Sequence, residues 1–293
     1  MEISKMILKK AVKEVWVRSL TEISPDILES LYAARKKETN IMAQKYLDIM
    51  IENALTATKN HTVICQDSGV PTFFVKTPLN FPYSGPVAET FAEALRELTL
   101  SEFVTRPMVV HPVTRFDNCD NTGSHVPIIH TELVSGQEYM EITAMPKGAG
   151  TGNWGTLHFF TLNEGMAAVK KFIIDSVIRA GSNPCPPLIV GVGIGGTLEE
   201  VARLATYASI RPVNVRHPEE NIAELECELF NALNMSEIGV MGLGGNNTVL
   251  AVNIEYSGTH KPWLPVAVNI NCWPGRKAAC RIKRDGQIEQ IRY

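Results

Sequence analysis

The sequence predicts an α+β fold, with a helical N-terminal layer followed by a mixed or antiparallel sheet domain that carries glycine-rich loops. Three observations support this. Apolar residues recur at helical spacing through residues 1–60. After residue 60 short runs rich in β-branched and aromatic residues replace them. Those runs are separated by glycine-dense polar segments, with no repeat, low-complexity stretch or linker among them.

In chain order, Ser24-Pro25-Asp26 is a helix start, a serine cap followed by proline at the first helical position. Ile27, Leu28, Leu31 and Ala34 then fall on one face. A further helix is expected from Ile41 to Ala57, with Met42, Tyr46, Ile49, Met50 and Ala54 on its apolar side. Strands are expected over 72–76, 126–130 and 139–143. Residues 165–180 read as a helix closed by Gly181. Leu188 to Val192 reads as a buried strand, 198–209 and 223–233 as helices, and 249–256 and 265–271 as strands. The end of the chain reads as a hairpin about Asp285-Gly286. A single domain over residues 1–293, with 1–60 as its helical layer, is the simplest organisation.

The composition is that of an ordinary globular protein: 293 residues, 45% hydrophobic and 20% charged. A net charge of −3 gives no sign of a nucleic-acid or membrane-surface partner, and a small anionic ligand would need a local basic patch. The N-terminus lacks the apolar core of a signal peptide, and no run approaches the ~20 apolar residues of a membrane helix. The cytoplasm is therefore the expected location. Six cysteines in a chain of this length are too few for a disulfide scaffold, and there is no C-x-x-C pair to suggest a zinc ribbon. In the plainest reading, free cysteines are small buried hydrophobes.

Several segments do not fit a plain core. Cys65-Gln66-Asp67-Ser68-Gly69 places a thiol beside an amide, a carboxylate and a hydroxyl between two apolar runs. Asp117 to Gly123 is dense in turn formers and follows Arg106 and Arg115, whose planar guanidinium groups suit carboxylates. The Pro146–Gly155 stretch could turn several N–H groups toward an anion, yet it lacks the ending of a nucleotide P-loop. Three prolines around Cys185 restrict its backbone, which suits a metal ligand. Gly191 to Gly196 matches G-x-G-x-x-G after a strand, but the acidic residue of a dinucleotide site does not follow at its expected distance. Residues 242–248 form another polar glycine loop, and His260 precedes a strand that leads to Cys272.

Taken in order, Cys-Gln-Asp-Ser-Gly at 65–69, Asp-Asn-Thr-Gly at 120–123, Lys-Gly-Ala-Gly-x-x-Asn at 147–153, Cys-Pro-Pro at 185–187, Gly-Gly-Thr at 195–197 and His260 with Cys272 closely resemble the α subunit, or N-terminal domain, of iron–sulfur class I fumarases and L(+)-tartrate dehydratases. The match runs from about residue 40 to about residue 285. The resemblance implies an Fe–S hydro-lyase α-type fold and a [4Fe-4S] cluster held by Cys65, Cys185 and Cys272. Three thiolates would leave one iron open to substrate, whereas four would close the cluster. It further implies substrate contacts from Gln66, Asp67, Arg106, Gly148 and His260, with Asp67 and His260 in catalytic roles. In the family, the general base is a threonine of the second (β) domain, positioned by the aspartate that Asp67 matches. A separate β subunit is therefore the expected partner, in an assembly such as (αβ)2, since this chain ends at Tyr293. Cys119, Cys227 and Cys280 lie outside the motifs and revert to the plain core reading.

The expected reaction is reversible hydration of a C4 dicarboxylate, fumarate to malate favoured on the form of the glycine loop. Trp154 and His158-Phe159-Phe160 depart from the fumarase pattern and keep L(+)-tartrate open. A redox iron–sulfur protein is the rival of another class and needs a fourth thiolate such as Cys280. A nicotinamide enzyme using the 191–196 glycines is the second.

Overall fold

The computed structural model describes residues 2–101 and 109–292, which form two compact units. One comprises residues 1–24, 54–149 and 276–293, and the other residues 25–53 and 150–275. The N-terminal segment is helical, with α1 (Lys5–Thr21), α2 (Pro25–Lys37) and α3 (Ile41–Asn60).

The first unit is built on a five-stranded mixed sheet. Its strands are β1 (Val70–Pro78), β4 (Ile128–Val134), β5 (Tyr139–Lys147), β10 (Ala278–Lys283) and β11 (Ile288–Ile291), in the order β11-β10-β5-β1-β4. Only the β1–β4 pair is parallel. Helix α1 and a helix not expected from the sequence, α4 (Val87–Leu100), cover this sheet. Trp16 of α1 meets Phe73 of β1 at 5.8 Å, and Phe73 meets Phe91 of α4 edge-on at 5.0 Å. These three rings are fully buried and anchor the core. A short ribbon, β2 (Val109–His111) with β3 (Phe116–Asp117), stands apart from the sheet.

The expected strand over 126–130 begins two residues later than foreseen. Pro127 has no N–H to give a ladder, and parallel pairing starts at Thr72 with Ile128. The C-terminal hairpin turns at Asp285-Gly286 as expected, with β10 starting at Ala278 rather than at Arg281.

The second unit carries a four-stranded sheet of β6 (Thr156–Phe160), β7 (Leu188–Ile194), β8 (Val249–Tyr256) and β9 (Leu264–Asn271), ordered β6-β9-β7-β8. Strand β6 was not foreseen; its Thr156–Phe160 run pairs antiparallel with β9. Helices α6 (Gly165–Ala180) and α8 (Glu220–Asn234) bury Val169, Ile173, Val177, Leu225, Leu229 and Leu233 against the sheet. Helix α7 (Leu198–Ala208) packs its Val201 and Ala205 against Ala267 of β9. The remaining helical pieces are one turn, α5 (Ala149–Gly152), and a 3-10 turn at Val240–Gly242. The five-stranded and four-stranded sheets are mixed, within the mixed or antiparallel arrangement that the sequence predicts. No helix among the described residues is long and apolar enough to cross a membrane.

Candidate active site

In the first unit, the segment between α3 and β1 carries Cys65, Gln66 and Asp67. Ile64 N–H donates to Leu20 C=O at 2.9 Å, which ties the start of this segment to the end of α1. Ser68 N–H turns back on Gln66 C=O at 3.1 Å, and Ser68 itself is buried. This tight turn leaves Cys65 and Asp67 half-buried and Gln66 exposed. The Cys65 thiol lies 3.7 Å from Gln66 Oε1.

The Asp67 carboxylate rests on the backbone of Gly148. A Cβ at position 148 would stand 2.5 Å from Asp67 Oδ2, so the carboxylate keeps this place only beside a glycine. The resemblance singled out these same two residues. The carbonyl of Asp67 is gripped from below: Arg276 Nη2 donates to it at 2.6 Å. Arg276 is 6% exposed, and its Nη1 is buried without a hydrogen-bond partner among the described residues. Sequence reasoning passed over Arg276. The signal was a pair of cations, Arg276-Lys277, set between Cys272 and an apolar strand, where a buried pair is unusual.

In the second unit, Cys185 and Cys272 lie on adjoining stretches of main chain. The amide of Trp273 donates to the carbonyl of Cys185 at 3.2 Å. Cys185 has φ +58, an uncommon left-handed conformation for a residue with a side chain. It is flanked by buried Pro184 and Pro186, and both cysteines are half-buried. Of the residues foreseen as ligands, the second unit therefore brings two onto neighbouring strands of chain, and Cys65 belongs to the first. Within either unit, no three His, Cys, Asp or Glu side chains among the described residues cluster to hold a metal ion.

His260 is exposed on the loop between β8 and β9. Its ring lies 5.4 Å from that of Trp263, and Trp263 N–H closes a turn on His260 C=O at 3.2 Å. The Gly195-Gly196 pair pins this loop. Gly195 N–H donates to Pro265 C=O at 2.8 Å and Gly196 N–H to Gly258 C=O at 3.1 Å. Those amides are thereby committed to the main chain and do not form a phosphate cradle. The earlier glycines of the same run, Gly191 and Gly193, have another purpose. A Cβ on either would collide with backbone carbonyls of α7, so the glycines let that helix pack closely on β7.

Arg106 lies outside the described residues. Arg115 is exposed, with φ +59. In the 117–123 segment Asp117 accepts from Cys119 N–H at 2.7 Å, and Asp120 accepts from Thr122 N–H at 2.9 Å and from Arg96 Nε at 2.9 Å. The 242–248 loop is held by Glu38, which is 3% exposed and accepts from the amides of Thr39, Asn40 and Asn246 and from Asn247 Nδ2. Burial pushes the Glu38 carboxyl up, and these donors outweigh it, leaving it below the usual range.

All six cysteines lie among the described residues, and none is disulfide-bonded. The core reading holds for Cys280, whose thiol burial pushes up to about 12. It fails for Cys119 and Cys227, which are exposed. Cys119 sits in the exposed self-bonded turn, and Cys227 faces solvent from α8.

The model of the family described as fumarate hydratase (fumerase) matches residues 9–281. The chain is 37% identical over 286 residues to a protein of Methanocaldococcus jannaschii, covering 97% of this chain and 100% of that one. That protein is provisionally named L(+)-tartrate dehydratase subunit alpha. The chain is 33% identical over 276 residues to the L(+)-tartrate dehydratase subunit alpha of an Escherichia coli strain, covering 93% of this chain and 90% of that protein. The Shigella sonnei protein of the same name is 32% identical over the same length.

Proposed function

The chain belongs to the fumarate hydratase family, and from that premise we propose that it is the α subunit of an iron–sulfur hydro-lyase acting on a C4 dicarboxylate. The observation that carries this reading is the half-buried Asp67 carboxylate, seated on the Gly148 backbone beside Cys65 and Gln66. A carboxylate held this way can orient a hydroxyl or hold a proton, and it has no evident use as core filling.

Cys65, Cys185 and Cys272 would hold a [4Fe-4S] cluster. The donor set fits it: three half-buried thiols outside disulfides, two of them on adjoining main chain. Held through three thiolates, a cluster supplies one open iron, a Lewis acid toward a hydroxyl and a carboxylate.

The protein's own groups do the rest. Gly148 N–H donates to a substrate carboxylate, and Gln66 offers an amide beside it. Arg106 clamps a carboxylate through its planar fork. Asp67 accepts the O–H of a base supplied by a β subunit and so aims it at the carbon that loses its proton. His260 exchanges a proton at a ring nitrogen with the hydroxyl that enters or leaves. The carbanion left beside the far carboxylate is stabilised by cationic groups, most of them expected from the partner. The relatives named as subunit alpha support such a partner. An assembly such as (αβ)2 in the cytoplasm is part of the same proposal.

Fumarate and malate are the first substrates to test. L(+)-tartrate is the second reading, favoured by the names of the relatives that match more than nine-tenths of the chain. The test is anaerobic, cluster-loaded complex with its β partner, assayed on fumarate, malate and L(+)-tartrate. Turnover of at least one is expected with the partner and none without it. No turnover of any would overturn the proposal.

A further inference from the structure

Arg276 is 6% exposed, and half of its fork is unused. Nη2 donates to the Asp67 carbonyl at 2.6 Å, while Nη1 is buried with no acceptor among the described residues. A guanidinium in this state costs stability, because a buried cation with an unmet donor loses its hydration without full return. It also grips the main chain at the peptide that carries the Asp67 side chain. On the other side of that residue, the carboxylate lies against Gly148. Asp67 is thus bonded at its carbonyl by one chain segment while its carboxylate lies against the backbone of another. The turn from Gln66 to Ser68 leaves it little freedom between them.

We infer that Arg276 is a positioning residue for Asp67, holding the Cys65–Gly69 turn so that the carboxylate is aimed before substrate arrives. This deepens the hydro-lyase reading and rests on it for its catalytic consequence. Arg276 touches the main chain of the turn, so its loss should slow the chemical step more than it weakens binding. A residue that only stabilised the fold would lower Tm without separating kcat from KM.

The test uses the αβ complex with Arg276→Met and Arg276→Lys. Lysine keeps the charge and one donor, and methionine keeps neither. Two readouts are taken: steady-state kinetics, and amide hydrogen exchange across residues 62–70 without substrate. Arg276→Met is expected to lose about tenfold or more in kcat with KM within about threefold, and to exchange faster in that peptide. Arg276→Lys is expected to fall between wild type and methionine on both readouts. If Arg276→Met does not fold, the lysine variant must still show faster exchange and lower kcat than wild type. Wild-type exchange and wild-type kcat in the lysine variant, or in a folded methionine variant, would overturn the inference. The failures are distinguishable. A wild-type complex that turns over nothing sinks the hydro-lyase reading, while the exchange order still judges Arg276. A working wild type with no order among the variants sinks Arg276 alone.

Discussion

The amide of Trp273 donates to the carbonyl of Cys185 at 3.2 Å, so the main chain just past Cys272 runs directly beside Cys185. Eighty-seven positions of sequence separate those cysteines, and one hydrogen bond joins their neighbourhoods. Gly275 N–H turns back on Cys272 C=O at 2.9 Å, which closes the bend on its far side. Both thiols are thus presented from constrained backbone and are half-buried, the condition expected of ligands and not of core fillers.

The six thiols should separate by reactivity. With a small alkylating reagent on native protein stripped of any cluster, Cys119 and Cys227 should label first because they are exposed. Cys280 should stay unlabelled until unfolding, since burial pushes its thiol to about 12. Peptide mass spectrometry after timed alkylation checks the order. Early labelling of Cys280 would contradict its place in the core and revive the four-thiolate redox rival.

Glu38→Gln should destabilise the protein by about 1–3 kcal/mol at neutral pH, because four donors lose a charged acceptor. The sign with pH follows from a folded-state value lowered from 4.5. The contribution is complete above 4.5 and fades as pH falls through the lower folded value. Urea midpoints of wild type and variant should therefore converge on acidification. A gap that widened there would be contrary to the sign.

Gly148→Ala should keep the fold and lose activity. The new methyl would meet the Asp67 carboxylate at 2.5 Å, and the side chain must swing away. A fall in kcat of about 10²-fold is expected, similar to Asp67→Asn, with the double variant no worse than either single one. Additive losses would mean that the two residues act independently.

Gly191→Ala should destabilise by about 1–3 kcal/mol or more, because its Cβ would drive into the Ala205 carbonyl and part α7 from β7. Wild-type protein should bind no NADH, as the Gly195 and Gly196 amides already serve Pro265 and Gly258. A saturable fluorescence titration with NADH would restore the dinucleotide reading.

Much of the fold was legible because its boundaries are written in local chemistry. Pro25 opens α2, Gly181 closes α6, and Asp285-Gly286 turns the last hairpin. Helix α4 was overlooked although Phe91, Ala94 and Leu95 share a buried face. Val87, Phe91, Ala94, Leu95 and Leu98 recur at helical spacing, so the signal was present and Phe91 packs on Phe73 as that spacing implies. Within the candidate site, Cys65, Gln66 and Asp67 stood out as polar residues between apolar runs. Arg276 did not, since its bond to Asp67 spans 209 positions and the Arg276-Lys277 pair shows its meaning only once both are found buried. Likewise the 191–196 glycines looked like a ligand loop, and only the approach of α7 and the 257–265 segment explains them.

The most direct measurement is iron and sulfide content, with turnover, of the anaerobically purified αβ complex bearing serine at position 65, 185, 272 or 280 in turn. About four irons per α chain are expected in wild type and in Cys280→Ser, with turnover of a C4 dicarboxylate in both. Cys65→Ser, Cys185→Ser and Cys272→Ser should each lose the cluster and the activity. Full iron and full turnover in any of those three, or loss of iron in Cys280→Ser alone, would contradict the assignment.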